Sequence, residues 1–425
     1  MEYWIIQAQE NPAAPRDEPG RREWRSNTLA ETLADRTHDV VRWRSAFSHQ
    51  AKEFLAAGNT SQRHDNYTQR FIACPSYQRH VGPTRIRNHL ALGRNFLSMA
   101  RRESAPNLIH VGNVPIALAY AAVRYGKAVG CPVVVDIRDL WPDIYADLLP
   151  SRLSGWRAPT IAGLHALSFR LKWSLRNATA ITALTRPYMD WALGLAARDQ
   201  TDKDAIFGMC YPRHETTPPA ADLEALRFRL GVTPEDQIAA YLGNIGHQSD
   251  FETVIAAARS VSDRFPHFKV VIAGSGPRED ELRRIAADAP NVIVPGWLQG
   301  PEIASLLHIA QIGLIAFHPV PNYLLNIPNK FSEYLAGGLA IACGLGGEMG
   351  ALIDETGCGF RYPSGDADAL SGKLAALLGD PSKLEQMGAQ ARILHAERFD
   401  GAQVYPAFAD HLEHLADSTK GQASQ

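Results

Sequence analysis

The run from Pro328 to Glu348, PNKFSEYLAGGLAIACGLGGE, combines residue types that bind phosphate and sugar. Its pattern predicts a short helix that ends at a glycine pair and leads into a buried strand. The first turn of a helix presents unpaired N–H groups and a partial positive charge, which attract phosphate. Lys330 adds a mobile cation there, and Glu333 lies one turn later on the same face, where its carboxylate can accept hydrogen bonds from sugar hydroxyls. The spacing therefore predicts a pocket for a nucleoside diphosphate, with Lys330 at the diphosphate and Glu333 at the ribose.

Two glycine-rich turns follow predicted strands in the second half of the chain: Gly243-Asn244-Ile245-Gly246 and Gly274-Ser275-Gly276. In parallel α/β sheets, ligands bind at the carboxyl ends of strands, and glycine there lets the backbone approach a phosphate or ribose closely. We therefore predict donor contacts at Gly243, Asn244, Gly246, Gly274 and Gly276. The alternative is that each is only a tight strand-to-helix turn. Neither turn has the pattern of a dinucleotide fingerprint, so a Rossmann dehydrogenase is the least favoured class.

The segment VVVDIRDLWP, residues 133–142, is a second concentration of polar residues. An apolar strand ends in charged residues and then an aromatic one, and groups at a strand's carboxyl end face the ligand edge of such a sheet. A neighbouring predicted strand, 107–111, is followed by polar residues as well. We expect catalytic roles for Arg138 and Asp139, together with Lys330, and acceptor contacts at His110, Asn113, Asp136 and Trp141. The alternatives are a structural Asp–Arg ion pair and a packed or capping histidine.

A third segment, Ser151 to Arg176, contains five basic residues and no acidic one. Leucines at helical spacing and nearby aromatic residues give it the character of an amphipathic helix that lies on an anionic membrane. The alternative is a surface helix whose leucine stripe packs on its own sheet. The residues concerned are Leu164, Leu167, Leu171 and Leu175, with Trp156, Phe169 and Trp173.

The size and composition of the chain indicate a globular protein of two domains. It has 425 residues, 45% hydrophobic and 21% charged, which is too long for a single core. Five scattered cysteines with no CxxC pair argue against disulfides and a zinc site. We find no signal peptide and no apolar run that spans a membrane, so we expect a cytoplasmic protein, with peripheral contact at the inner face of the plasma membrane if the third segment binds lipid.

Charge is distributed unevenly between the two halves. Residues 1–213 carry 28 basic and 19 acidic side chains, and residues 214–425 carry 15 and 26. Opposite net charges support a division near residue 213, and they suggest that the first domain meets an anionic acceptor or surface.

Both halves alternate β-rich runs with helical patterns, which is typical of parallel sheets flanked by helices. In the first half, strands are predicted over 3–8, 39–43, 70–73, 107–111, 132–136 and 180–183. In the second half, they are predicted over 238–242, 269–273, 292–294, 312–317 and 339–343. The predicted helices are 24–36, 84–102, 114–129, 251–264, 278–287, 301–310, 330–336 and 366–378. Asp250 and Asp366 are predicted N-caps.

Taken in order, these motifs resemble the retaining glycosyltransferases of the GT-B fold, in family 4, and in particular bacterial transferases that build surface polysaccharides. In the second half the resemblance is carried by YLGNIGHQSDFETVIAAA, FKVVIAGSGP, NVIVPGW, IPNKFSEYLAGGLAIA and GCGFRY. In the first half it is carried by GRREWRSNTLAETLADRTHDV and VVVDIRDLWPD.

The resemblance implies an α/β protein with two Rossmann-like, doubly wound parallel-sheet domains that face each other across a cleft. Residues 1–213 would bind a lipid-linked or glycan acceptor, and residues 214–400 a nucleotide-sugar. A helix within 401–417 would pack back toward the first domain, and 418–425 would form a flexible tail. A hexose or aminohexose would be transferred with retention, by same-face attack, without a metal, a resident cofactor or nucleic acid.

The family motif also implies roles for single residues. Glu333 would hold the ribose, and Gly243 would begin the loop beneath the diphosphate. The sugar side would be lined by Gly337-Gly338 and Gly346-Gly347-Glu348.

Three features depart from the family pattern. Leu325 stands where a second glutamate is common, and Arg138 stands where a histidine is frequent. Asn244 and Ser249 stand where an arginine and a lysine usually clamp the diphosphate. Lys330 can supply that charge instead. The alternatives to a transferase are a GT-B protein that binds a nucleotide-sugar without transferring it, and an NDP-sugar epimerase.

Overall fold

The structure, a computed structural model, describes residues 1–10, 21, 24–64, 66–78, 82–147, 155–212 and 217–423. The chain separates into two units. The first unit runs through Phe207 and takes in the chain again from Tyr405, and the second unit contains Gly208–Val404. The division predicted at residue 213 falls among residues 213–216, which lie outside the described part.

The first unit is built on eight strands: β1 (Glu2–Ile6), β2 (Asp39–Ser45), β3 (Thr60–His64), β4 (Tyr67–Ile72), β5 (Leu108–Gly112), β6 (Val133–Ile137), β7 (Ala180–Ala183) and β8 (Ala205–Ile206). They lie side by side in the order β3-β4-β2-β1-β5-β6-β7-β8. All neighbours are parallel except β3 and β4. β5, β6 and β7 are buried along their whole length, as expected of central strands covered on both faces.

Helices flank this sheet: α1 (Arg25–Asp35), α2 (Pro83–Ala100), α3 (Ile116–Val129), α4 (Ile144–Asp147), α5 (Arg157–Leu167), α6 (Phe169–Asn177) and α7 (Arg186–Ala196). The predicted doubly wound parallel architecture is therefore correct for this unit. The prediction missed β3 because its sequence, TSQRH, contains no apolar residue and so shows no alternation. β3 lies at the edge of the sheet, where both of its faces can remain polar.

The basic segment predicted as one amphipathic helix is two helices in the structure. Ser151–Ser154 lie outside the described residues, and the side chain of Leu167 is likewise not described. Ser168 separates α5 from α6, and Leu171 and Leu175 are fully buried in the first unit. The leucine stripe of α6 is thus core, which corrects that part of the membrane interpretation.

The second unit is built on six strands: β9 (Gln237–Leu242), β10 (Phe268–Ala273), β11 (Val292–Gly296), β12 (Ile312–Ile315), β13 (Ala340–Cys343) and β14 (Gly359–Arg361). Their order is β11-β10-β9-β12-β13-β14, and every pair is parallel. Because the strands are parallel, the loops after β9, β10, β12 and β13 all emerge at one edge of the sheet.

The helices of the second unit are α8 (Ala220–Leu230), α9 (Phe251–Val261), α10 (Glu279–Ala286), α11 (Gly300–Ile309), α12 (Pro321–Leu324), α13 (Asn329–Gly337), α14 (Gly347–Thr356), α15 (Ala367–Leu378) and α16 (Pro381–Leu394), with a π-helical turn at His395–Phe399. Both predicted N-caps are confirmed. The Asp250 side chain accepts a hydrogen bond from the amide of Thr253, and the Asp366 side chain accepts one from the amide of Ala369.

The last helix, α17 (Gly401–Ala423), packs on the first unit from Tyr405 onwards. Arg36 reaches Asp410 at 2.6 Å and Glu413 at 3.0 Å, and the ring of Phe408 stacks on that of Phe207 with 4.2 Å between centroids. The helix continues through the segment predicted as a tail as far as Ala423. Within the described part of the chain, no helix combines the length and the hydrophobicity that a membrane span requires.

Candidate functional site

Helix α13 brings the predicted lysine and glutamate to the ligand edge of the second sheet. Pro328 precedes the helix in an extended conformation and offers no side-chain cap, and the first turn contains no acidic residue. The far side of the helix is anchored to β9, because the amide of Leu242 donates a hydrogen bond to the Tyr334 hydroxyl at 2.8 Å. This bond fixes the orientation in which Lys330 and Glu333, both buried, leave the helix.

The amine of Lys330 lies beneath the glycine turn that follows β9. Its Nζ is 3.5 Å from the centroid of the Tyr241 ring and 4.6 Å from that of Phe317. A Cβ atom added at Gly243 would lie 3.3 Å from the same nitrogen, and residues with a side chain rarely adopt the φ of 137° found at this glycine. The ring faces stabilise a cation at this position.

Burial lowers the pKa of Lys330 to about 7, and the nearby Glu333 carboxylate opposes that shift. A lysine in this state is only partly charged near neutral pH. An anion that arrived beside it would favour the charged form and raise its pKa again.

The two glycine-rich turns pack closely against each other. Gly243 and Gly274 both have positive φ, 137° and 145°, and a Cβ at Gly274 would overlap the carbonyl oxygen of Gly243. A Cβ at Gly276 would overlap the carbonyl oxygen of Ile245, which itself accepts a hydrogen bond from the Arg278 amide. The tight-turn explanation therefore accounts for Gly274 and Gly276, whereas Gly243 faces the lysine.

The other predicted donor residues occupy the same edge. Asn244 is exposed, and its carbonyl oxygen accepts a hydrogen bond from the Tyr241 hydroxyl at 3.0 Å. A Cβ at Gly246 would meet the side chains of Gln248 and Asn244. Gly347 begins α14 with a φ of 65° against the backbone of Leu324.

Glu348 lies in the first turn of α14, and burial raises the pKa of its carboxyl group. Beside it, a cavity of about 270 Å³ is lined by Gly344, Leu345, Gly346, Arg361, Tyr362 and Pro363. The cavity and the carboxyl group lie after β13, at the edge where the resemblance places the sugar.

In the first unit, Arg138 and Asp136 belong to a network of buried charges. Arg138 donates to Asp136 at 2.7 Å, to the Ser26 hydroxyl at 2.7 Å and to the carboxylate of Glu10. Arg25 also donates to Asp136, at 3.2 Å. Asp136 is fully buried, so in this structure it presents no surface to an acceptor. These contacts favour the structural ion pair over catalysis for Arg138.

Arg42 is the last member of this network. Its guanidinium donates hydrogen bonds to Glu10 at 2.9 Å and to three backbone carbonyls. Burial raises the pKa of Glu10, but the Arg138 and Arg42 guanidiniums outweigh it and hold the pKa below its usual value. Burial likewise raises the pKa of Asp136, and Arg25 and Arg138 lower it well below its usual range. Both carboxylates therefore remain ionised inside the protein.

His110 is packed in the core. It is fully buried, with its Nε2 3.8 Å from Asp136 and its ring edge-on to Phe408. Burial lowers the pKa of His110 to about 3, so the ring is neutral. This placement favours the alternative of a packed histidine over an acceptor contact.

Asn113, Asp139 and Trp141 lie around the turn after β6. The Asn113 side chain, also buried, donates to the carbonyl oxygen of Asp139 at 2.8 Å and accepts from the amide of Arg138 at 3.2 Å. It therefore shapes the turn. Asp139 and Trp141 are half-exposed at the ligand edge of this sheet.

Comparison with known families matches both units separately. Residues 23–201 match the description "Glycosyl transferase 4-like domain", and residues 222–394 match "Glycosyl transferases group 1". The chain belongs to the group 1 glycosyltransferases. Members of this family use nucleotide-sugars as donors, and the sequence-based assignment to GT-B family 4 is confirmed.

Two curated relatives are about one quarter identical to this glycosyltransferase over the residues that align. The D-inositol 3-phosphate glycosyltransferase of Nocardia farcinica is 24% identical over 272 residues, which are 58% of this chain and 59% of the relative. The GDP-mannose-dependent monoacylated alpha-(1-6)-phosphatidylinositol monomannoside mannosyltransferase of Corynebacterium glutamicum is 28% identical over 174 residues, 40% and 45% of the two chains. The matched part thus spans about half of each relative.

Solved structures confirm the fold over nearly the full length. Sucrose-phosphate synthase from Thermosynechococcus elongatus superposes with a TM-score of 0.73 and 16% identity, covering 98% of this chain and 99% of that one. Anabaena Alr3699/HepE in complex with UDP-glucose gives 0.66 and 13%, covering 97% and 100%. WaaG, a glycosyltransferase involved in lipopolysaccharide biosynthesis, gives 0.66 and 13%, covering 96% and 99%.

In this glycosyltransferase, the position of the usual lysine of the diphosphate clamp is closed. Ser249 is fully buried, and its hydroxyl is 2.9 Å from that of Tyr241. Arg278 donates to the Ser249 carbonyl at 3.0 Å, but its remaining donors engage Glu252 and Glu281. Lys330 thus brings a cation to the glycine turn from α13, whereas the usual lysine would come from position 249, just before α9.

Leu325, which replaces the second glutamate, follows α12 and is half-buried. Glu10, Arg42 and Tyr241 are not among the residues predicted from the sequence. A signal for Arg42 was present, since two arginines interrupt the apolar pattern of β2, DVVRWRS, and a buried strand can hold a charge only if it is paired.

Replacing Glu10 with glutamine should destabilise the protein by about 3 kcal/mol, because Arg138 and Arg42 lose their shared counter-charge while both remain buried. Urea unfolding followed by tryptophan fluorescence measures this loss. The pKa of Glu10 is depressed on folding, so the loss should be largest near neutral pH and should shrink as the pH falls and the wild-type carboxylate is protonated.

Glu103→Gln is the matched control. Glu103 pairs with Arg70 at the surface, with both side chains about a quarter to a third exposed, so its loss should cost less than about 1 kcal/mol. Equal losses for Glu10→Gln and Glu103→Gln would contradict the description of a buried network.

Proposed function

We propose that this glycosyltransferase moves a hexose or aminohexose, with retention, from a nucleotide-sugar to a lipid-linked or glycan acceptor in the assembly of a bacterial surface polysaccharide. The observation that carries the donor half of the proposal is the Lys330 amine, buried on Tyr241 and aimed at Gly243, with Glu333 one turn away on the same helix. The UDP-glucose bound to Alr3699/HepE, the lipopolysaccharide role of WaaG and the lipid substrate of the Corynebacterium relative support the substrate classes.

The chemistry of this edge suits a diphosphate leaving group. When the bond between the sugar and the diphosphate breaks, negative charge develops on the phosphate oxygens, and preorganised donors lower the barrier by stabilising it. Lys330, the free N–H groups at the start of α13 and the backbone of the turn after β9 would supply those donors. Lys330 would become fully charged as the diphosphate arrives.

The remaining donor groups would bind the nucleoside and the sugar. The Glu333 carboxylate would accept hydrogen bonds from the ribose hydroxyls. Glu348 and the glycines at the start of α14 would line the sugar, and the raised pKa of Glu348 fits a carboxyl group that is partly removed from water. The first unit would bind the acceptor.

Glu333→Ala should weaken the binding of the cognate nucleoside diphosphate by about 1.5–3 kcal/mol, or roughly ten- to a hundredfold, because a charged hydrogen-bond acceptor is lost. Titration calorimetry with UDP, GDP, dTDP and ADP first identifies the nucleotide and then measures the loss. Hydrolysis or transfer of the corresponding sugar donor by the wild type is expected in the same screen.

Glu385→Gln, an exposed glutamate on α16, is the control and should leave the affinity as it is. Unchanged affinity in Glu333→Ala would falsify the ribose assignment. Tight nucleotide binding with no turnover of any donor, even with acceptor extracts, would favour the non-catalytic alternative.

Binding of the diphosphate should take up a proton above pH 7. The free lysine, with a pKa of about 7, is largely neutral at about pH 8, and the diphosphate raises its pKa toward the usual value. Affinity should therefore fall as the pH rises above about 7, since the lysine must first gain its proton. Calorimetry in two buffers of different ionisation enthalpy measures the uptake directly.

Lys330→Met should abolish this proton uptake and weaken diphosphate binding, while removing a partly charged group from the protein interior. If the wild type and Lys330→Met take up the same number of protons when the nucleotide binds, the diphosphate does not contact this lysine.

The proposal includes contact with an anionic membrane, through fewer residues than the sequence indicated. With the leucines of α6 buried, the exposed apolar groups are Trp156 and Phe169, at 65% and 61% exposure, beside Arg157 and Arg170. Aromatic rings next to arginines suit the interface of an anionic bilayer.

Replacing both Trp156 and Phe169 with serine should reduce flotation with anionic vesicles by about tenfold, because two rings no longer enter the interface. Phe228→Ser removes an even more exposed ring, on α8 of the second unit, and serves as the control. If the wild type does not float with anionic vesicles, or the double variant floats as well as the control, the membrane proposal fails.

A further inference from the structure

A cluster of cationic and aromatic side chains lies at the ligand edge of the first sheet, apart from the Glu10 network. Lys52 comes from the loop after β2, Tyr77 from the loop after β4, Arg85 and His89 from the first turns of α2, and Trp141 from the loop after β6. We refer to these five residues as the Arg85 cluster. β2, β4 and β6 run in the same direction, so their loops emerge at the edge where parallel α/β sheets take ligands.

Stacking contacts hold the cations of the cluster in place. The guanidinium carbon of Arg85 is 4.8 Å from the Trp141 ring centroid and 6.0 Å from that of Tyr77. The Lys52 amine is 4.7 Å from the same Tyr77 ring, and the ring of His89 is 5.8 Å from that of Trp141. Two cations thus share one aromatic ring.

The electrostatics of the cluster favour an anion. Burial, and then the charge of Arg85, lower the pKa of Lys52 and lower that of His89 to about 3. Among the described residues, no carboxylate contributes to the pKa shifts of Lys52, Tyr77, His89 or the adjacent Tyr145. Like charges are therefore held together in a half-buried place where a bound anion would relieve their repulsion.

The start of α2 adds to the positive potential. The helix begins at Pro83, after Gly82, with no side-chain cap and no acidic residue in its first turn, and Arg85 is its third residue. Free N–H groups and the helix dipole therefore act in the same direction as the two cations.

We propose that the Arg85 cluster binds the phosphate or diphosphate group of the acceptor. This assignment rests on the proposed function, which places the acceptor on the first unit, and it narrows the acceptor to a phosphate-bearing molecule. Trp141, predicted from the sequence as an acceptor contact, belongs to the site, whereas Asp136 and His110 do not. The guanidinium of Arg85 matches the geometry of phosphate oxygens, and the aromatic rings offer faces to the group that carries the phosphate.

Two sources of that phosphate are possible chemically: a lipid-linked phosphate and a water-soluble sugar phosphate. Apolar side chains next to the cluster in sequence remain exposed, namely Phe54, Ile86 and Leu90. They favour the lipid, because a hydrocarbon chain would cover them.

The test is calorimetric titration of the full chain, first saturated with its nucleoside diphosphate so that the donor site is filled. Geranyl diphosphate, a short prenyl diphosphate, and inorganic pyrophosphate are the probes. Both should bind at a second site. Arg85→Gln and Lys52→Gln should each weaken that binding by about tenfold, since a charged hydrogen bond is lost. Tighter binding of geranyl diphosphate identifies a lipid-linked source, and equal binding of the two probes a soluble one.

Arg94→Gln, an exposed arginine further along α2, is the matched control and should change the affinity by less than about twofold. Lys52 is only half-buried, so its variant remains informative if Arg85→Gln unfolds. The proposal is overturned if both variants bind the probes like the wild type, or if the nucleotide excludes the probes completely. Failure of the first, nucleotide titration would instead count against the proposed function.

Discussion

A buried lysine amine beneath a glycine turn is the feature on which the proposed donor site depends. The ring faces of Tyr241 and Phe317 stabilise the charge of Lys330, and Gly243 leaves space beside its amine. Its orientation depends in turn on the bond between Tyr334 and the backbone of β9. The cost of holding a lysine in an apolar place is visible in its lowered pKa, and a bound diphosphate would remove that cost.

The two units use buried charge in different ways. In the first unit, Glu10 and Asp136 are surrounded by arginines that satisfy them, so the network positions the loops after β1 and β6 without offering free charge to a ligand. In the Arg85 cluster and at Lys330, the cations lie against the faces of aromatic rings. A ring stabilises a cation without neutralising it, and the charge therefore remains available to an anion.

Much of the fold was accessible from the sequence because its signals are local. The parallel sheets, the caps Asp250 and Asp366, and the helix that carries Lys330 and Glu333 all follow from residue patterns a few positions long. The sequence analysis did not predict β3, because no apolar residue marks this strand. It did not predict the break at Ser168, because the helical spacing of leucines continues across it. The roles of Arg138 and Lys330 depend on residues far away in the chain, Glu10 and Tyr241, and such pairings arise only when strands take their places in the sheet.

The most direct measurement is a crystal structure of this glycosyltransferase with its cognate nucleoside diphosphate bound. The account predicts that phosphate oxygens lie within hydrogen-bond distance, about 3 Å, of the Lys330 amine and the backbone of the Gly243 turn, with the ribose hydroxyls on Glu333. Nucleotide density elsewhere, with the lysine still packed on Tyr241 and unchanged, would contradict it.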